Sequence, residues 1–362
     1  LPQFSLSAKA TYQSDVTKLP ISLPGIKIEG LNKEQYQAVA EVDQTLWDGG
    51  MISSQKKITQ ASTEIDRQKT EVDLYALKDR VNQLYFGILS LNAQLVQNDL
   101  LLKELQTDYD KFTAYIQSGI ANQSDLDVIK VEQLKTRQHR TELLSARKAY
   151  KEMLEAMIGS SIPDAGSLQR PDAKTLVINS AQSNRPELKL FEAQNKLYDS
   201  QTDLIKAGNM PKISLFVQGG LGNPGLNMLK NELSTFYIGG ARLVWNFGNF
   251  YTRQNNLRQI ELNKQSVDVQ KETFLYNNNL KIMQQEDEIE KIREQIAGDD
   301  EIIALRGSIK VATEVKVKNG TQSVTDLVQQ INAESQAAQN KSLHEIQLVM
   351  AIYNLKTTVN NY

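Results

Sequence analysis

No cysteine occurs in the 362 residues, which excludes disulfides, thiolate metal sites and a cysteine nucleophile. Histidine is nearly as scarce. His139 and His344 are the only two; neither has a second donor at metal-ligand spacing, and both fall in polar helical stretches where solvent exposure is expected. Eight prolines and 19 glycines leave few tight turns. Aromatics at 7% and hydrophobic residues at 40% are too sparse for a thick core, which disfavours a compact enzyme. Neither sign of charge dominates: 41 basic residues face 43 acidic ones, with no basic cluster, so no nucleic-acid partner is expected. No run of 18 apolar residues is present, so no helix is suited to crossing a membrane, and the opening Leu1-Pro2-Gln3-Phe4 carries no export-signal pattern. Contact with a bilayer, if there is any, is left to β-strands. Phosphate-binding loops, nucleophile elbows and metal motifs are missing too, so no catalytic residue, cofactor or metal ligand is assigned. The acidic run from Glu286 to Glu290 reads as a solvated helix face.

What the chain does contain is itself, twice. Pro2-Gln3-Phe4-Ser5-Leu6 recurs as Pro211-Lys212-Ile213-Ser214-Leu215, and Leu46-Trp47-Asp48-Gly49-Gly50 recurs as Val244-Trp245-Asn246-Phe247-Gly248, the second pair holding the only two tryptophans. Ser118-Gly119 followed by Asp125-Leu126 recurs as Asn319-Gly320 followed by Asp326-Leu327. Three matches in the same order mark a tandem repeat, about 1–180 and 181–362.

Each copy opens on period-two alternation, seen as Phe4, Leu6, Ala8, Ala10 and Tyr12 against Gln3, Ser5, Ser7, Lys9 and Thr11. In the second copy Ile213, Leu215 and Val217 alternate with Lys212, Ser214 and Gln218, and Phe216 breaks the polar parity. Second strands are expected over about 35–47 and 235–245, with Trp47 on the parity of Glu41 and Asp43. The period then changes. Leu77, Val81, Leu84, Ile88, Leu91, Leu95, Leu102, Leu105, Tyr109, Phe112 and Ile116 form a heptad seam with one polar skip at Asn98. Ile58, Ile65 and Val72 precede it in another register, placing a stutter near residue 74; Ile260, Val267 and Phe274 repeat that opening. Residues 51–118 contain no proline and as one helix would span about 100 Å. Returning helices are expected over 123–157 and 322–360, beside a second long helix over 249–318.

Four strands with one apolar face cannot close a membrane barrel alone, because the smallest such barrels have ~8 strands and lipid does not tolerate open edges. Several chains would have to contribute four each, the apolar face meeting lipid and the polar face lining a lumen. Trp47, Trp245, Phe247, Phe250 and Tyr251 cluster where strands hand over to helices, the place for an interfacial aromatic girdle. The competing reading is a soluble sheet laid over helices with the tryptophans as core. Composition does not separate the two.

The duplicated order of strand, loop, strand, long helix, glycine turn and returning helix resembles the TolC-like outer-membrane efflux proteins. Leu46-Trp47-Asp48-Gly49-Gly50 is similar to the family's aromatic-Asp-Gly-Gly junction, Asn184-Arg185-Pro186-Glu187-Leu188 to its Arg-Pro-Glu-Leu helix opening, and the two glycine turns with Asp-Leu to its helix tips. The resemblance implies an α+β membrane protein whose four transmembrane β-strands per chain build a trimeric 12-stranded barrel, continued by a long periplasmic α-helical barrel. Strands would lie in 1–48 and 210–248 with extracellular loops 14–33 and 222–233. Helices would occupy 49–159, 180–209 and 249–361, with an equatorial region at 160–179. The implied function is a passive exit duct in the outer membrane of a Gram-negative bacterium. It would dock with a periplasmic adaptor and an inner-membrane pump to export small molecules, or serve a type I protein-secretion system. A soluble coiled-coil scaffold without a pore is the rival from another class. A helix matching 185–208 would be expected before Leu1 in the first repeat, which makes an additional N-terminal segment, with any export signal or lipid anchor, an expectation.

Site residues follow from the same resemblance. Asp326 matches an aspartate that rings the periplasmic entrance, Asp125 its outer partner in the closed state, and Gln329 stands at a second ring position. Val317 and Gln322 replace a frequent tyrosine and arginine of the closed-state contacts, so a less charged collar and a differently bonded lock are expected. Read without the family, Asp125 and Asp326 are first-turn residues complementing a helix dipole. Gly119, Ile120, Gly320 and Thr321 would meet the adaptor; as plain chemistry they are helix-ending turns in which glycine admits positive φ. Trp47, Trp245 and Phe247 are assigned to the membrane interface.

Overall fold

The computed structural model of the chain describes residues 1–17, 31–119, 121–163, 168–172 and 183–360. Ile120, most of the first expected external loop and most of the 160–179 stretch lie outside the described residues. Two compact units are formed, each taking part of both repeats: Leu1–Arg67 with Phe191–Val269, and Gln68–Leu190 with Gln270–Tyr362.

The first unit contains a four-stranded antiparallel sheet in the order β1 (Gln3–Tyr12), β2 (Glu34–Trp47), β3 (Lys212–Asn223), β4 (Ser234–Val244). Register alone sorts the side chains. Phe4 opposes Val42, Val42 opposes Val217 and Val217 opposes Gly239, so these share a face with Leu6, Ala40, Leu215, Tyr237 and Leu243. The opposite face carries Ser5, Ser7, Glu41, Asp43, Ser214, Gln218 and Arg242. A register shift between Thr45 and Trp47 explains the odd parity of the tryptophan. The extra residue turns Trp47 to oppose Ile213, and so onto the apolar face, away from that of Glu41 and Asp43. Phe216 does lie on the polar face, where its ring covers Gly240: a Cβ there would sit 3.1 Å from two ring carbons.

Five helices follow among the described residues: α1 (Met51–Gln117), α2 (Gln123–Ile158), α3 (Pro186–Ala207), α4 (Asn249–Lys318) and α5 (Val324–Val359). At the start of α1 the Asp48 carboxylate accepts from the Gly50 and Ile52 amides at 2.9 and 2.6 Å, satisfying donors that a helix start leaves unpaired. Gly49 has φ +74°, and a Cβ there would meet Met210 Cβ at 2.5 Å. The junction motif is therefore a turn that only glycine fits. α3 starts on Pro186, whose missing amide costs nothing at a first helical position.

In the second unit the seam is largely where the heptads put it, with Ile88, Leu95, Leu105 and Phe112 buried. Two details differ. Leu77 is exposed and Tyr75 takes its place, buried with its hydroxyl donating to the Thr357 carbonyl; the register change falls there, and α5 supplies the acceptor. Asn98, the polar skip, is buried and donates to the Thr136 carbonyl at 3.1 Å, so the interruption is a bonded contact between α1 and α2. His344 also departs from the solvated site expected of it. Its Nδ1 lies 2.8 Å from Asp299, which is buried where α4 packs on α5. His139 is half-exposed beside Glu142, as expected.

Candidate functional site

Two places in the molecule, one in each unit, carry the residues singled out by sequence. In the helical unit both long helices end in the same turn. Gly119 has φ +72° and Gly320 φ +71°, and a side chain at either would meet nothing within 4 Å. The two turns are thus exposed, and their glycines answer to backbone conformation rather than to crowding. Each turn leads into a reciprocal cap. Asn122 accepts from the Asp125 amide while Asp125 accepts from the Asn122 amide; Ser323 and Asp326 repeat the pattern. The Ser323 hydroxyl also donates to Asp326 at 2.8 Å. These bonds from the side chain and then the backbone of Ser323 hold the Asp326 carboxyl below the usual carboxylate range. The leucines that follow, Leu126 and Leu327, turn inward into one cluster with Leu105, Phe112, Ile129, Val324, Val328 and Ile331. Asp-Leu after each turn is therefore one device, in which the acid caps and the leucine docks the hairpin. Gln329 and Thr321 are exposed. Val317 packs against the shared cluster, and Gln322 Oε1 is enclosed without a hydrogen-bond partner. Neither bonds to Asp125 among the described contacts.

A charged layer that the sequence reading missed lies nearby along α1, α4 and α5. Lys310 reaches Glu104 on α1 at 2.6 Å and also pairs with Glu334 on α5, while Lys111 pairs with Glu314. Burial works to lower the Lys310 ammonium, but the two glutamates outweigh it and hold it above the usual lysine range. Asp108 beside them is pushed up by burial. Opposite charges on three helices were readable in the sequence; their meeting depended on packing.

In the sheet unit the junction aromatics are exposed, and Trp245, Phe247 and Phe250 touch in series. Trp245 and Phe247 have ring centroids 4.7 Å apart, Phe247 stacks on Phe250 at 6.4 Å, and the Trp245 indole donates to the Asn209 carbonyl at 3.0 Å. Trp47 is exposed to the same degree as Trp245. The polar face holds a second unexpected cluster. Arg242 on β4 reaches Glu41 and Asp43 on β2 at 3.1 and 3.5 Å, passing over β3 with its guanidinium 4.7 Å from the Phe216 ring centroid. Gln218 donates to Glu41 at 2.6 Å and Ser214 to Asp43 at 3.0 Å. Glu41 and Asp43 share the polar parity, which was the one signal available. No grouping of metal-binding side chains occurs among the described residues.

Residues 1–160 match the family model described as outer membrane efflux protein. Similar folds extend over essentially the whole chain. The channel-forming protein CusC superposes with a TM-score of 0.73 at 15% identity, covering 99% of this chain and 83% of that one. The CmeC outer membrane channel of Campylobacter jejuni gives 0.68 at 15% identity, with 99% and 77% covered. The MtrE outer membrane channel of Neisseria gonorrhoeae, solved in its open state, gives 0.68 at 13%, with 100% and 81% covered. No curated protein matches in sequence.

Proposed function

We propose that this chain, whose residues 1–160 match the outer membrane efflux protein model and whose fold is similar to those of outer membrane channels, is the exit duct of a tripartite efflux system. Three copies assemble in the outer membrane of a Gram-negative bacterium. A periplasmic adaptor and an inner-membrane pump deliver small molecules to them, and the pump supplies the energy. The sheet of each copy provides four strands of a twelve-stranded barrel, and the long helices line a periplasmic tube. The matched family model and the similar solved structures are those of outer membrane channels, which supports a channel over an enzyme.

The observation that carries this reading is the sheet. Phe4, Leu6 and Tyr237 are 79%, 82% and 84% exposed on one face of strands 10 to 14 residues long, enough to cross a tilted bilayer span. Leu215, Val217 and Leu243 are exposed on that face too, and none of the described residues covers it. Among the described residues β1 and β4 each keep one unpaired edge, which lipid does not tolerate, so in this reading further copies close the ring. A soluble scaffold has no use for such a face. The tips at Gly119 and Gly320, with Thr321, offer exposed turns to an adaptor. Three copies of Asp326 would make a negative collar, and within each chain the capping bonds from Ser323 favour the ionised carboxylate.

The test is the oligomeric mass of detergent-purified protein, followed by its addition to a planar bilayer. A trimer giving discrete, long-lived conductance steps is expected. A monodisperse monomer, soluble without detergent and silent in the bilayer, overturns the reading.

A further inference from the structure

The Glu41–Arg242–Asp43 cluster has no evident structural need. The backbone ladder already joins β2 to β3 and β3 to β4, and ion pairs on an open face add little stability. Its charge does not cancel either: at this level each chain sets two carboxylates against one guanidinium. Gln3 and Ser5, which face Asp43 and Glu41 from β1, are neutral. The other cations of this face stand at other levels, Lys9 opposite Gln37 and Lys212 opposite Val244. The arrangement also fixes where the charges point. Arg242 is held flat by the Phe216 ring beneath it and by both acids, and the Phe216 ring itself rests on Gly240. The guanidinium therefore lies along the wall instead of reaching out from it.

Resting on the duct reading, in which this face lines the lumen, we infer that Glu41, Asp43 and Arg242 determine the ionic selectivity of the barrel. The whole face carries three cations, Arg242, Lys9 and Lys212, to two carboxylates, but this layer alone has one surplus negative charge per chain; repeated around the axis, the layer favours cationic over anionic solutes. This filter lies in the sheet unit and is separate from the helix-tip collar. Lumen charges act on permeating ions over a Debye length of about 10 Å at 0.1 M salt and about 3 Å at 1 M, so the preference must fade as salt rises.

Reversal potentials under a KCl gradient across a planar bilayer test it, with the full chain and with the Asp326→Ala background, so that the tip collar does not dominate. Arg242→Gln leaves two uncompensated carboxylates, and the cation-over-anion permeability ratio is expected to rise by about two- to tenfold at low salt. Glu41→Gln combined with Asp43→Asn leaves Arg242, Lys9 and Lys212 unopposed, and the preference is expected to turn toward anions. Both shifts should shrink at 1 M KCl. Heat-resistant oligomer on gels reports assembly; if Arg242→Gln does not assemble, the two near-isosteric carboxylate variants decide the matter. Normal conductance steps with unchanged reversal potentials in every assembled variant overturn the inference while leaving the duct intact. Wild-type protein that gives no steps at all removes the duct reading and this inference with it.

Discussion

Among the described residues, Asp108 is placed against its own chemistry. Burial raises its carboxyl despite the neighbouring Lys111, so the ionised form is disfavoured in the folded chain. A carboxylate whose folded pKa lies above its unfolded one destabilises at neutral pH, and that penalty fades as pH falls through the folded value toward about 3.9. Asp108→Asn should therefore raise the thermal midpoint at pH 7 and lose its advantage near pH 4, as followed by circular dichroism. Asp326 has the opposite sign. Its folded value is depressed by Ser323, so its capping contribution is complete above the ordinary carboxylate range and is lost only as pH falls below it. Asp326→Asn should leave α5 unaffected by mild acid and weaken its first turn at neutral pH, an effect visible as faster amide exchange there. The sign for Asp326 follows from its place in a helix first turn three residues after Ser323 and was readable in the sequence, whereas that for Asp108 depends on which neighbours the fold brings to it.

At the level of elements, adjacent glycines on β3 make a paired test. A Cβ on Gly219 meets nothing within 4 Å, whereas one on Gly220 would lie 2.6 Å from the Ala38 carbonyl oxygen and 2.9 Å from the Phe236 ring. The carbonyl belongs to the sheet ladder and cannot give way. Gly219→Ala should assemble normally, and Gly220→Ala should lose the heat-resistant oligomer on gels. The helix starts offer a second test: Asn122→Ala removes one half of a reciprocal cap, costing about 1 kcal/mol, and should speed amide exchange over 123–126 by about fivefold. The long helices were legible because proline-free heptads ending in a positive-φ glycine have few alternative structures, and α1 and α4 match their expected limits to within a residue. The face of Trp47 was not, since a single extra residue between Thr45 and Trp47 reverses every parity beyond it. Tyr75 replacing Leu77 depends on a helix far away in the sequence, and Asp299 taking His344 depends on how the consecutive helices α4 and α5 pack. The link from Arg242 to Glu41 needed the strand order, because β2 and β4 are not neighbours.

For the molecule as a working whole, the collar gives the most direct prediction. Asp326→Ala should alter conductance and weaken its cation preference in a planar bilayer, and an unchanged current would remove the collar assignment. The family resemblance supplied this residue; the structure adds that its carboxylate already serves a cap, so the variant tests two roles at once. Ser323→Ala, which keeps the acid and removes one capping partner, separates them: a current that shifts only with Asp326→Ala belongs to the charge. The register of the sheet has a consequence in time. Trp47 pairs with Ile213 across three intervening helices, α1, α2 and α3, whereas the helical hairpins turn within a few residues at Gly119 and Gly320. Closing short loops costs less entropy and happens sooner than bringing distant strands together. Helix should therefore accumulate first during refolding, with β1 beside β2 as an isolated ribbon, and the central β2–β3 pairing should be the slow event. Until it forms, the apolar strands stay exposed and prone to the wrong partner, so the yield of correctly assembled protein should be set by how quickly one chain's two halves find each other.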